Sequence, residues 1–441
     1  LALLEKGDHI VSSRSIFGST TMLQRRLRVG YTRASRLMDM LEDAGIAASD
    51  LSRVLHGTTV ATNMILEDKG ARTALVTTRG FRHVLEIGRQ DIPRHANLFN
   101  WVKPARPVPA ERIYEVDERI GTGGRVLAEL DEASVHVAGE ALAKQNVEAV
   151  AVCLLHAYAN SAHELRVVEL LRAALPGVAI TCSTDVLPVV REFERSLATV
   201  LNASVMPGVS TYISRLQDRL TEAHAASPLL LMQSNGGVAG TEAIRVAPAL
   251  TALSGPAAGV VGSVDTAAAC GIEDIITVDI GGTSADICLI QGGDVALTQQ
   301  GKVGEWPLSL PMVDMVTIGA GGGSIAAVSN DTLAVGPHSA GAQPGPAAYG
   351  HGGTEATVTD AHVTLGNLPH ALLGGSMSLD IGASRKVIED NVARPLGLTA
   401  EAAAQGILAI MNNNMVGAVR TVSVERGHDP RDFTLVPFGG A

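Results

Sequence analysis

The residues of this chain with the most chemistry in their spacing are Asp279-Ile280-Gly281-Gly282-Thr283-Ser284-Ala285-Asp286. An apolar run, IITV, precedes them and a second, ICLI, follows. Two glycines after a strand let backbone N–H groups approach phosphate oxygens with no Cβ in the way, and Thr283 and Ser284 add hydroxyl donors. Asp279, at the strand end, can hold a hydrated Mg²⁺. The same string also reads as a glycine-rich hairpin turn with a capping aspartate. Its place between two apolar strands favours the phosphate loop. No GxxxxGK[ST] occurs in the chain, and a strand rather than a helix follows the glycines, so neither a P-loop nor a dinucleotide fingerprint fits.

A second glycine cluster, VTIGAGGGSIAAV over 316–328, puts Gly319, Gly321, Gly322 and Gly323 after another strand. It predicts an N–H-rich concavity suited to an anionic ligand, with Gly321 and Gly322 as contacts, although a plain loop explains it equally. No acidic residue stands where a ribose would be held, which weakens a Rossmann reading. A third stretch, 335–361, has no apolar periodicity and is dense in Gly and Pro, as functional long loops are. His338, His351 and Asp360 are its titratable candidates. Asp279 and Asp360 are the catalytic expectations, with Asp279 also the metal ligand. HGTTVATN (56–63) reads as a hydroxyl-rich helix start in which capping explains much. GxSxG, HExxH and EF-hand patterns are missing, so serine-hydrolase, zincin and calcium chemistry lose their usual support.

These loops need a scaffold, and the composition describes one. Of 441 residues, 46% are hydrophobic and 18% charged, with 47 glycines and 3% aromatics. That balance supports a sizeable packed core of Val/Ile/Leu/Ala strands and Ala-rich helices, an α/β habit. The formal charge of −11 disfavours nucleic-acid binding by the whole chain. RTALVT (72–77) and VEAVAVCLL (147–155) predict buried parallel strands, and Asp131 caps a helix carrying Val135, Ala138 and Leu142. GTGG (121–124) predicts a hairpin turn, and PLLLMQ (228–233) a further buried strand. Segment 275–298 predicts a meander of three strands joined by two glycine turns. A helix from Glu192 towards Met206 meets Pro207 and Gly208, and a domain boundary is expected there, giving domains 47–206 and 207–441. Cys153, Cys182, Cys270 and Cys288 form no C-x-x-C pair, so a zinc ribbon or disulfide scaffold is not supported. No run reaches eighteen apolar residues, and a cytoplasmic protein without membrane association is expected.

Residues 1–46 stand apart. Lys6, Arg14, Arg25, Arg26, Arg28, Arg33 and Arg36 face only Glu5, Asp8 and Asp39 within the first forty positions. Caps at Ser19 and Thr32 and turns at Gly30 and Gly45 predict a helix-turn-helix pair. The string FGSTTMLQRRLRVGYTRASRLMDMLEDAGI resembles the C-terminal winged-helix (gamma) domain of the bacterial DNA translocase of cell division. That resemblance implies DNA binding through residues 1–46 alone; a solvated helical hairpin accounts for the same pattern.

HGTTVATN, REFERSLATVLNA, LLMQSNGG, LSGPAAGVVG, VDIGGTSAD, TIGAGGGSIA, GPHSAGAQPGPAAYGHGGTEATVTDA and FTLVPFGGA occur in an order similar to that of the hydantoinase A / 5-oxoprolinase family, from about residue 49 to the end. The resemblance implies a ribonuclease-H-like, actin-like two-domain ATPase of the sugar kinase, Hsp70 and actin type. It implies ATP and Mg²⁺ as cofactors, ATP-dependent opening of a small cyclic amide such as 5-oxoproline or N-methylhydantoin, and a hydantoinase B-type partner subunit. The acetone or ketone carboxylases are the alternative, and an inactive fusion fragment with a DNA-binding module is an alternative of another class. By position, Gly281, Gly282, Thr283, Ser284 and Asp286 fall in the second phosphate loop, and Gly439 and Gly440 in the nucleotide-contacting turn. The family's first phosphate loop, D-x-G-G-T-F-T-D, has no counterpart near the start and the chain stops inside FGGAG, so the expected fold is incomplete at both ends.

Overall fold

The computed structural model describes residues 51–440 except 90–98, 100–101, 103–105, 223, 226, 305 and 373–376. The helix pair expected over 1–46 lies outside the described residues. The chain divides into two compact units, one of residues 51–257 and 297–312, the other containing 258–296 and 313–441.

In the first unit the runs of β-branched and small apolar residues form strands, as their composition predicts. Its main elements are β1 (Val54–His56), α1 (Val60–Leu66), β2 (Thr73–Thr78), β3 (Ile113–Val116), α2 (Glu132–Lys144), β4 (Ala149–Cys153), α3 (Ala162–Ala174), β5 (Ala179–Cys182), α4 (Glu192–Glu222), β6 (Leu229–Met232) and β7 (Val238–Gly240). A four-stranded parallel sheet has the order β3-β2-β4-β5. Every residue of β2 and β4 is buried. Alternation divides them between two cores: Ala74, Val76, Val150 and Val152 meet Val135, Ala138 and Leu142 of α2 and Val167 and Leu171 of α3. Leu75, Ala149, Ala151 and Cys153 meet Leu197, Val200 and Leu201 of α4. A strand covered on both faces has no polar side, which is why its sequence is a continuous apolar run. Asp131 caps α2, accepting from the Ala133 N–H at 3.0 Å. GTGG joins two short antiparallel strands, Arg119–Ile120 and Val126–Ala128.

The boundary expected at Pro207 is corrected. Pro207 lies inside α4, which runs unbroken for 31 residues, and the units divide after residue 257. Proline inside a helix costs about 3 kcal/mol. Here Val205, Val209 and Ile213 are all fully buried on the same helix, so continuous core packing on both sides of the proline offsets that cost.

In the second unit the predicted meander is present as β8 (Ile275–Ile280), β9 (Ala285–Gln291) and β10 (Asp294–Val295), all antiparallel. Next come β11 (Met315–Ile318), β12 (Ser324–Ser329), β13 (Thr332–Ser339), α5 (Val358–Thr364), α6 (Ala400–Val422) and β14 (Thr434–Gly439). The sheet order is β10-β9-β8-β14, with β14 parallel to β8 and β11 antiparallel to β9. Ala418 and Val422 of α6 cover Ile276, Val278, Ala285 and Ile287. This burial fixes the register of β8 and β9, because a one-residue slip would turn their apolar set outward.

Candidate functional site

The segment Asp279–Asp286 is the end of the β8–β9 hairpin. The register pairs Asp279 with Asp286 across the two strands, so both carboxylates stand on one face of the sheet. The Gly281 N–H donates to the Ser284 carbonyl at 2.9 Å and closes the turn, leaving Gly282 and Thr283 exposed. Asp279 itself is buried, and its Oδ1 has no hydrogen-bond partner among the described residues. Burial first, and the Asp286 carboxylate second, push its pKa up to about 7. Burial also raises Asp286, partly opposed by a hydrogen bond donated from the Thr317 hydroxyl. Two carboxyls that each resist ionisation beside the other form a place where a cation is favourable.

Gly439 completes the floor. β14 puts it in register with Ile280, at φ +109°. A Cβ there would come within 2.4 Å of the Ile280 carbonyl oxygen and 2.7 Å of Asp279 Oδ1. Only glycine lets the strand end against Asp279. Gly440 follows it and is exposed.

The second glycine cluster is joined to the first, but in a different role from the one expected. The Gly322 N–H donates to the Gly281 carbonyl at 3.1 Å and the Gly323 N–H to the Gly282 carbonyl at 2.7 Å. The Gly321 N–H donates to Ser324 Oγ at 2.9 Å. A Cβ on Gly321 would lie 2.5 Å from the Gly281 carbonyl oxygen. The anticipated anion-binding concavity at Gly321 and Gly322 is therefore corrected: the Gly321 amide closes its own loop on Ser324, and the Gly322 and Gly323 amides fasten that loop to the 281–283 turn and hold it in shape.

Asp360 is likewise corrected as a catalytic candidate. It is fully buried at the start of α5, where it forms a capping box with Thr357. Its carboxylate accepts from the N–H groups of Ala347, Ala348 and Thr357 and from the hydroxyls of Thr357 and Ser384, at 2.7 to 3.3 Å. A carboxylate so occupied ties the 335–361 segment together and has no lone pair facing a substrate. His338 and His351 are exposed. Among the described residues no three His, Cys, Asp or Glu side chains cluster to hold a metal. Asp279 and Asp286, paired across the hairpin, are two carboxylates that could meet an ion such as Mg²⁺, which takes one or two carboxylates together with substrate phosphates. All four cysteines are free thiols, with Cys270 exposed and the others buried.

Sequence reading missed Thr317 and Thr359. Thr317 faces Asp286 in the β9–β11 register, and Thr359 donates both its N–H and its hydroxyl to the Gly322 carbonyl at 2.8 Å. Each acts across at least 30 residues of sequence, where local spacing carries no signal. Among the described residues no helix is long and apolar enough to cross a membrane.

A family model described as hydantoinase/oxoprolinase matches residues 195–441, and one described as the hydantoinase/oxoprolinase N-terminal region matches 24–175. The second begins inside the segment expected to be a separate winged helix, and nothing in these matches supports the winged-helix resemblance. The chain is 39% identical over 401 residues to the caprolactamase subunit alpha of Pseudomonas jessenii, covering 89% of this chain and 57% of that one. It is 34% identical to the acetophenone carboxylase gamma subunit of Aromatoleum aromaticum, covering 88% and 55%. The crystal structure of the ATP-dependent caprolactamase from Pseudomonas jessenii superposes with a TM-score of 0.80 at 38% identity, over 93% of this chain and 61% of that one. The chain thus spans a little over half the length of these relatives.

Proposed function

This chain belongs to the hydantoinase/oxoprolinase family, and from that premise we propose that it is the nucleotide-binding part of an ATP-dependent enzyme that opens a small cyclic amide. The observation that carries the reading is the buried, unpartnered Oδ1 of Asp279, set between Asp286 and the bare Cα of Gly439 beneath an exposed glycine turn. A sheet in which an antiparallel hairpin lies beside a parallel returning strand, in the order β10-β9-β8-β14, supports a ribonuclease-H-like, actin-like ATPase fold.

MgATP, when bound, supplies a γ-phosphoryl group that converts an amide oxygen into a leaving group. Asp279 and Asp286 would hold the cation, whose charge would offset that of the two carboxylates. The exposed Gly282 and Thr283 N–H groups and the Thr283 and Ser284 hydroxyls orient phosphate oxygens. Gly321, Gly322 and Gly323 keep that turn rigid, so little ordering remains to be done on binding. Gly439 and Gly440 allow close approach from the other side. A hydantoinase B-type partner subunit completes the hydrolysis in this reading.

The similarity to an acetophenone carboxylase subunit favours a second reading, phosphorylation of a ketone enolate before carboxylation. ATP turnover by the protein with its B-type partner separates the two. Stimulation by 5-oxoproline or a lactam is expected; stimulation only by a ketone with bicarbonate would replace the first reading by the second.

A further inference from the structure

The acid pair of the β8–β9 hairpin belongs to a longer row. Asp279 pairs with Asp286, and Asp286 pairs in turn with Thr317 of β11. Direct cross-strand partners share one face of a sheet. The order across that face is therefore Asp279, Asp286, Thr317. Asp286 is half-buried and Thr317 exposed, so the row opens to solvent at its threonine end.

β11 holds Thr317 in place by its own packing. Val316 and Ile318, on either side of it, pack against the cluster that contains Ala418 and Val422 of α6. Alternation along the strand then turns Thr317 to the opposite face, towards the acids. One residue before the strand, Asp314 accepts from Nη1 and Nη2 of Arg426 at 2.5 and 3.2 Å, which pins the start of β11. A β-branched side chain is stiff at χ1, so the Thr317 hydroxyl meets Asp286 with little freedom of its own. It donates to Asp286 Oδ1. Among the described residues no other side-chain donor reaches that carboxylate. The terminal torsion of an aspartate is broad and two-fold, and here the threonine is the group that fixes it. With Oδ1 taken, Oδ2 is the oxygen left for a ligand.

We propose that Thr317 is a positioning residue for the cation of the nucleotide site, holding Asp286 Oδ1 so that Oδ2 stays directed to the metal. This rests on the reading of Asp279 and Asp286 as the carboxylates that meet Mg²⁺ together with ATP. Thr317 acts through Asp286 alone. A carboxylate already ordered before the ion arrives has less freedom to lose on binding.

Calorimetric titration of the full chain with a non-hydrolysable ATP analogue, adenylyl imidodiphosphate, tests this at graded Mg²⁺ concentrations and with the metal chelated. Thr317→Val, close in shape but without the hydroxyl, should raise the Mg²⁺ concentration for half-maximal binding by about tenfold, as the loss of one hydrogen bond to a charged group would. Its affinity for the metal-free analogue and its melting temperature without ligand should stay at native levels. Thr317→Ser keeps the hydroxyl and should restore most of the Mg²⁺ response. In an Asp286→Asn background, Thr317→Val should weaken the Mg²⁺ response no further, because its route to the metal is already lost. A native Mg²⁺ response in Thr317→Val overturns the proposal. So does an equal loss of metal-free affinity, a much lower melting temperature of the ligand-free valine variant, no recovery in Thr317→Ser, or a further loss in the Asp286→Asn background. Binding by the native protein that ignores Mg²⁺ would instead remove the reading of Asp279 and Asp286 as cation ligands, and the proposal with it.

Discussion

Asp279 and Asp360 are both buried aspartates beside glycine-rich loops of the second unit, and only their donors distinguish them. Asp360 has five, three backbone N–H groups and two hydroxyls. Asp279 Oδ1 has none among the described residues. Five donors aimed at one carboxylate satisfy its lone pairs and hold in place the loop that supplies them. An oxygen with no donor is costly to bury, and its pKa rises instead. The comparison teaches that burial alone does not separate a structural acid from a ligand-holding one. The number and identity of the hydrogen-bond donors do.

The largest effect that would break this contrast concerns Asp360. Asp360→Ala leaves five donors without an acceptor and should lower stability by about 4 kcal/mol or more, or prevent folding. Denaturant unfolding measures this; a loss below about 1 kcal/mol would show that the loop does not depend on the carboxylate.

The pH dependence of stability is the next effect in size. Asp279 keeps its proton up to about 7 in the folded chain, against an ordinary value of 3.8. Between those two pH values the folded state binds more protons than the unfolded state, so stability falls as pH rises. The contribution is fully present below about pH 4 and lost above about pH 7, an effect on the order of a few kcal/mol. Asp279→Asn should flatten this part of the profile, and Mg²⁺ with nucleotide should counteract the loss at high pH. Identical profiles for the native protein and Asp279→Asn would place the titration elsewhere.

The smallest effect on stability is the most informative about function. Asp279→Ala should abolish nucleotide binding without lowering the stability of the nucleotide-free protein by more than about 1 kcal/mol. A large loss of stability without nucleotide would make Asp279 a turn cap like Asp360, and the contrast between them would disappear.

Much of the scaffold was legible because it is local. The continuous apolar runs of β2 and β4 follow from alternate side chains entering cores on both faces of the sheet, and the β8–β9–β10 meander follows from apolar runs cut by paired glycines. The cap at Asp131 involves an acceptor and a donor two residues apart. Gly281, Gly282 and Thr283 could be singled out for the same reason, since a turn's geometry is set by its own residues.

What only the tertiary structure decided is which partner each polar group meets. The Gly322 and Gly323 amides look the same in sequence whether they face a phosphate or a carbonyl; packing brings Gly281 and Gly282 to them from 40 residues away. Pro207 reads as a boundary until the buried faces before and after it are seen to belong to one helix. The sequence by itself determined many of the strands and turns and the places of Asp279 and Asp360 beside the glycine-rich loops. Their difference in kind arises from hydrogen-bond donors that converge from distant segments, and donor geometry at that range is set by the packed core.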